Sequence, residues 1–387
     1  MTIIDDYLSL QQDQVKKYGE KTLVLMQVGH FFESYAVDNE KEKSNAENIY
    51  KLADIMNIQI TRKNKSILEN SRGNPIMIGI NLCSKDKYIQ ILLNAGYTIV
   101  MMEQVTDPPE PKREITNIYS PGTNLEYNVK NSSNNLMCIY IESVPNDSTK
   151  MLKNIGMSVI DFTTGNNSVY EVYSNISNKD YNYSLDEVYR FIQVYNPCEI
   201  LIIYSEINKY LNEDYLTNYL NLANTIVHFK NKADVNKEYE KLEYQRQFLE
   251  KIFKKDSVLS IIEYLDLERL PLATISYIHL LDFAYIHNEE IVKKINKPDI
   301  FKSENYLLLT NNSINQLNVI SNDSSSIYNS LFSVINKTST SIGRRMLRDQ
   351  LLNPIINSKE LNKRYDYVQF MYDNDRYIGF EKYLNKP

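Results

Sequence analysis

No tryptophan occurs in the 387-residue chain, and no apolar run reaches the roughly 18 residues that a membrane helix requires. The N-terminus, Met1-Thr2-Ile3-Ile4-Asp5-Asp6, carries acids where a signal peptide needs basic residues, so a soluble, intracellular protein with no membrane partner is expected. Cysteine is scarce: Cys83, Cys138 and Cys198 stand far apart without a Cys-x-x-Cys pair, which argues for reduced thiols and against a zinc site. The four histidines, His30, His228, His279 and His287, are also scattered, so no metal site is expected. None of the ten glycines completes a Gly-x-x-x-x-Gly-Lys-[Ser/Thr] phosphate loop or a Gly-x-Gly-x-x-Gly turn. No cofactor and no enzymatic activity are therefore expected within this chain. Net basic charge is missing too: −6 at pH 7, with a pI near 5.5, counts against nucleic-acid binding driven by overall charge.

Tyrosine, at 31 residues, is abundant together with Asn, Ile and Lys, a bias that reads as the imprint of an AT-rich coding sequence. The length exceeds what one hydrophobic core usually serves, so two or three domains are expected. Local charge departs from the net. Between positions 61 and 90, Arg62, Lys63, Lys65, Arg72, Lys85 and Lys87 stand against only Glu69 and Asp86. Such residues suit phosphate contacts, which position a protein on a duplex without reading its sequence. A solvated loop and helix face accounts for them equally well.

The most informative stretch is Val28-Gly29-His30-Phe31-Phe32-Glu33-Ser34-Tyr35. The apolar run 23–28 reads as a buried strand, and Gly29 can end it with a turn of either backbone sign. An aromatic ring at such a tip can wedge between bases, at a cost of about a few kcal/mol in base stacking that is least where pairing is already weak. A carboxylate two residues on can accept a hydrogen bond from a base N–H but sits badly against phosphate. A core aromatic beside an acid is the structural alternative for the same tripeptide.

Further segments recur in a telling order: Ile58-Gln59-Ile60-Thr61-Arg62, Pro75-Ile76-Met77-Ile78-Gly79-Ile80, Glu103-Gln104-Val105 and Ser120-Pro121-Gly122-Thr123. As an ordered set they resemble the mismatch-recognition domain of the MutS family of DNA mismatch-repair proteins. By position, Phe31 matches that family's intercalating Phe and Glu33 its base-contacting Glu. His30 replaces the family's Asp and Phe32 its Tyr, which removes a charge and a hydroxyl beside the wedge. The likeness continues through Gly156-Met157-Ser158-Val159-Ile160-Asp161-Phe162, similar to the opening hairpin of the family's connector, and through Tyr195-Asn196-Pro197-Cys198-Glu199. The run 331–354 and Arg364-Tyr365-Asp366 resemble the start of its core domain.

An α/β multidomain protein follows: a small mixed α/β recognition domain over 1–127, a ribonuclease-H-like α/β connector over 128–238, and the all-helical start of a core domain over 239–387. Helices are expected over the first 18 residues, 39–57, 84–94 with Ser84 as N-cap, 185–195 and 270–293, the last apolar nearly all round and hence buried. Strands are expected at 58–62, 75–82, 97–103, 136–142, 156–162, 168–173 and 199–203. Positions 107–112 read as a loop and 128–135 as a polar linker. Asp161 has only Glu171 and Asp186 as companions for a two-metal nuclease site, and no motif supports the set. The resemblance implies the N-terminal part of a longer protein whose ATPase, with ATP and magnesium, lies in a domain absent here. It also implies mismatched or looped duplex DNA as ligand, a homodimer, and a MutL-like repair partner. A relay module, or a branched-DNA binder without mismatch specificity, are the alternatives.

Overall fold

The computed structural model describes residues 3–106, 111–124, 135–147, 150–174, 182–205, 211–223, 225–254, 258–302, 306–307, 311–321, 327–374 and 377–380. The protein is mixed α/β, built on two mixed sheets. Helix α1 (Ile3–Tyr18) opens it, with Asp5 and Asp6 in its first turn and Lys16 and Lys17 in its last, both complementing the helix dipole. The first sheet contains β1 (Thr22–Val28), β2 (Phe31–Asp38), β3 (Lys43–Ser44), β4 (Thr61–Arg62), β5 (Ile76–Asn81), β6 (Thr98–Gln104) and β7 (Arg113–Tyr119). Their order is β4-β5-β2-β1-β6-β7, with β3 on β2. β1 and β6 run parallel, and the other pairs are antiparallel.

The central strand is apolar on both faces because both are covered. Leu23 and Leu25 pack under α2 (Ala46–Met56) and α3 (Lys85–Asn94), whereas Val24 and Met26 join the cluster that contains Ile4, Tyr7 and Leu8 of α1. Helix α2 begins seven residues later than the pattern over 39–57 suggests. Asn39 accepts the backbone N–H groups of Lys41 and Glu42 through its side chain, a local turn that competes with helix and leads into β3. Ser84 holds the N-cap position of α3, as expected, but its side chain makes no capping hydrogen bond. A 3₁₀ turn at Leu82–Ser84 precedes that helix, Asn81 accepts the Cys83 N–H at 2.9 Å, and the Ser84 hydroxyl donates to the Asn81 carbonyl. Of the strand expected at 58–62 only Thr61 and Arg62 pair.

The second sheet is a meander of β8 (Asn135–Asp147), β9 (Lys150–Asp161) and β10 (Asn166–Val172), extended by β11 (Glu199–Tyr204), β12 (Ile226–Asn231) and β13 (Asp299–Ile300). The order is β12-β11-β8-β9-β10-β13, with β11 parallel to both β8 and β12 and β13 parallel to β10. Met137, Ile139 and Ile141 point to one face, under α4 (Tyr183–Tyr195) and α5 (Glu213–Tyr219). Leu136, Cys138 and Tyr140 point to the other, where α6 (Leu242–Ile252), α7 (Ile261–Tyr264) and α8 (Pro271–His287) pack.

The all-helical reading beyond 238 needs correction, because β13 is a strand there and pairs with β10. Helix α8 is buried as expected, but against the second sheet. The Ser276 hydroxyl donates to the Cys138 carbonyl, Tyr277 donates to Asn167 at 2.8 Å, and Glu171 accepts the Ala273 N–H at the helix start. A Cβ on Gly156 would lie 2.1 Å from the Leu272 carbonyl carbon, so glycine on β9 is what lets the helix approach. A helix without a polar face must be covered on several sides, and this sheet supplies one of them. The 270–293 helix also divides at Asn288, whose side chain caps α9 (Glu289–Val292). Beyond β13 lie α10 (Asn311–Gln316), α11 (Leu331–Ile335), α12 (Ser341–Leu352) and α13 (Ser358–Asp373). The linker expected at 128–135 and positions 107–110 of the expected loop lie outside the described residues, apart from Asn135, which starts β8.

The two sheets share a core. Val24, Met26 and Tyr35 from the first and Leu136, Cys138 and Tyr140 from the second belong to one apolar cluster. At the seam, the fully buried Glu199 accepts hydrogen bonds from the Ser120 hydroxyl at 2.6 Å, the Gly122 N–H at 2.9 Å and His228 Nε2 at 2.7 Å. A Cβ on Gly122 would sit 2.8 Å from the Glu199 carboxylate. Burial alone would push this carboxyl up, but His228 and Ser120 hold it below its ordinary value. The turn that leaves the first sheet is thereby bolted to the first residue of β11.

Candidate nucleic-acid interface

Gly29 and His30 form a two-residue turn that sets Val28 opposite Phe31. Only Gly29 of the two has a positive φ, +58°, the pattern of a type II′ hairpin, whose first central position favours glycine. Past the turn, the period-two alternation of β2 decides which side chains reach outward. Phe31 is 46% exposed and Phe32 only 1%. Phe32 packs with Leu23, Leu25, Ile78 and Ile80 in an apolar cluster that needs no hydroxyl at this position.

Glu33 returns to the face of Phe31 and is half-buried, between Met26 on β1 and Gly79 on β5. Gly79 offers no side chain to cover it; a Cβ there would be in ordinary contact, 3.8 Å from Glu33 Cγ. Third on this face is Tyr35, whose hydroxyl donates to Glu33 Oε2. The Tyr35 ring is buried and meets Tyr7 edge-on, with centroids 5.2 Å apart, and Tyr7 is held in turn by donating to the Val24 carbonyl at 3.0 Å. Burial, and after it the Glu33 hydrogen bond, push the Tyr35 phenol well above its ordinary value, so it stays a donor at neutral pH. Sequence reasoning missed Tyr35, although the same i, i+2 spacing that links Phe31 to Glu33 points to it.

Strand register divides the basic residues into two groups. Phe31 pairs with Asn81, while Arg62 pairs with Ile76, five residues back along β5, or about 16 Å. Arg62, Lys63, Lys65 and Arg72 therefore belong to the far end of the sheet. Arg72 is engaged there by two carboxylates, Asp5 and Glu42, each at 2.9 Å. Arg62, Lys63 and Lys65 form no ion pair among the described residues. Lys85 and Lys87 begin α3 at the end of the sheet that carries Phe31. Lys85 lies 3.6 Å from Glu103, and Lys87 lies over the Tyr88 ring. Arg113, which the sequence did not single out, comes to this end through its pairing with Gln104, and its Nε donates to the Gln27 carbonyl at 2.8 Å. Leu82, Val105 and Ile115 add exposed apolar side chains there.

The carboxylates considered for nuclease chemistry are dispersed. Asp161 accepts the Thr163 N–H, Glu171 the Ala273 N–H and Asp186 the Tyr219 hydroxyl. No group of His, Cys, Asp or Glu among the described residues could hold a metal ion, and no described helix is long and apolar enough to cross a membrane.

A family model of MutS domain I matches residues 8–128, and one of MutS domain III matches residues 312–385. The mutS homolog of Acanthamoeba polyphaga mimivirus is 35% identical over 95% of this chain and 34% of its own length. The chain belongs to the MutS family. The DNA mismatch repair protein MutS of Caldanaerobacter subterraneus subsp. tengcongensis is 28% identical over 99% of this chain and 39% of its own length. The chain thus spans between a third and two fifths of these MutS relatives. A fowlpox virus resolvase solved with Holliday junction DNA shares 15% identity over 39% of this chain at a TM-score of 0.25, too slight a likeness to argue from.

Proposed function

We propose that this chain recognises mismatched or looped-out bases in duplex DNA as part of a longer, ATP-dependent MutS-like mismatch-repair protein. The observation that carries this is the outward Phe31 at a strand tip, with Glu33 beside it on the same face and Phe32 turned into the core. Phe31 enters the minor groove at a weakly stacked step and the duplex kinks there. Glu33 accepts a hydrogen bond from the exposed base edge. Lys85 and Lys87 contact phosphate near the wedge, and Arg62, Lys63 and Lys65 contact it further along; Arg72 contributes only if its ion pairs open. ATP, magnesium, a second copy and a MutL-like partner belong to the longer protein. The order β10-β9-β8-β11-β12 in the second sheet supports reading it as the ribonuclease-H-like connector that the family resemblance implies.

Anisotropy of labelled G·T-mismatched and matched duplexes with the intact protein tests the reading. Stacking on a base is worth about 1–3 kcal/mol, so Phe31→Ala should remove most of the mismatch preference and leave matched binding in place. Preference retained in Phe31→Ala would remove the wedge. A second role, relaying the DNA-bound state through the connector, is favoured by the Glu199 junction, since a shared core and a buried bolt make the two sheets move together.

A further inference from the structure

We infer that Tyr35 is the positioning residue for Glu33, fixing one carboxylate oxygen so that the other is presented to a base edge beside Phe31. This rests on the mismatch reading above and says how its acid gains direction. A free glutamate side chain samples many rotamers, and ordering it on binding costs affinity. Here the ordering is built in. The Tyr35 hydroxyl occupies Oε2, and the Tyr35 ring cannot swing because Tyr7 meets it edge-on while Tyr7 is tied to the Val24 carbonyl. Gly79 across the strand leaves the carboxylate uncovered on that side. The chain thereby holds an acceptor whose partner on one oxygen is internal and whose other oxygen awaits an external donor.

The test is the mismatch-to-match affinity ratio of the wild type, Tyr35→Phe, Glu33→Ala and the double variant, at one salt concentration, with melting temperatures alongside. Tyr35→Phe keeps the ring against Tyr7 and removes only the donor. It should lower the ratio on the order of tenfold, the scale of one hydrogen bond to a charged group, while matched binding and melting temperature stay put. In the Glu33→Ala background the same change should do nothing more, because Tyr35 acts through Glu33. An unchanged ratio in Tyr35→Phe, or losses that add in the double variant, would overturn the inference while leaving the mismatch reading intact. A wild type that binds both duplexes equally would overturn the reading and the inference together.

Discussion

At the seam between the sheets Glu199 has no exposed surface and three donors; at the tip of the first sheet Glu33 is half-buried and bonded through its carboxylate to one tyrosine. Both are glutamates on strands, and both lie beside a glycine, Gly122 in one case and Gly79 in the other. The glycines serve opposite ends. Gly122 brings a backbone N–H into bonding distance of its carboxylate, where a Cβ would collide, while Gly79 keeps a face open, where a Cβ would fit. A carboxylate surrounded by internal donors is structural, and one with an open side has capacity left for something outside the chain.

Removing each acid should expose this difference most strongly. Glu199→Ala leaves His228, the Ser120 hydroxyl and the Gly122 N–H without their acceptor in a buried place, and the expected loss is about 3–5 kcal/mol, read as a fall in the urea midpoint. Glu33→Ala should cost less, about 1 kcal/mol, because it removes a half-buried group that accepts one internal hydrogen bond, from Tyr35. Equal losses for the two would erase the distinction.

Titration should follow the junction side rather than the tip. Burial holds His279 down to about 3, with Lys230 adding to the effect, and holds His287 down to about 4. His287 Nδ1 faces the Phe283 carbonyl at 2.6 Å, and its buried Nε2 has no partner among the described residues, so a proton added there would find no acceptor. Both folded-state values lie below the ordinary 6.5, so the unfolded chain binds these protons more readily. Stability is therefore fully present above about pH 6.5 and is lost as pH falls through 4 toward 3, by on the order of a few kcal/mol. Glu199, also held below its ordinary value, acts in the same direction. Unfolding free energy measured from pH 7 to 4 should fall, and His287→Gln should flatten part of that slope. A flat profile in the wild type would mean that these histidines are not kept neutral by burial.

How far the chain could be read from its sequence differs in the same way between the two regions. The Phe31 tip was legible because everything it needs is local: an apolar strand, a glycine, and a period of two that puts Phe31 and Glu33 on one face. Tyr35 obeys that period and could have been found by it. The seam was not legible, since Glu199 meets Ser120 from 79 residues away and His228 from 29, and no local pattern encodes such partners. Helix α8 lies between these cases. Its lack of a polar face announced burial, but not that the second sheet would cover it, and Gly156 gains its meaning only from the Leu272 backbone above it. Basic residues were legible as a group, but which end of the sheet each one occupies depends on strand register, which the composition of 61–90 does not contain.

Register also leads to the smallest expected effect. Removing one cation from the phosphate backbone lowers the slope of log affinity against log salt by about one. Lys85 stands at the Phe31 end, 3.6 Å from Glu103, so Lys85→Ala should reduce that slope by about one for matched and mismatched duplexes alike. Arg72 stands at the other end, and both sides of its guanidinium are taken by Asp5 and Glu42, so Arg72→Ala should leave the slope where it was. If Arg72→Ala lowered the slope and Lys85→Ala did not, the duplex would run along the far end of the sheet. The wedge would then have to lie away from Phe31, because about 16 Å of strand separates the two ends. The pair of variants thus locates the duplex independently of any change to Phe31 or Glu33.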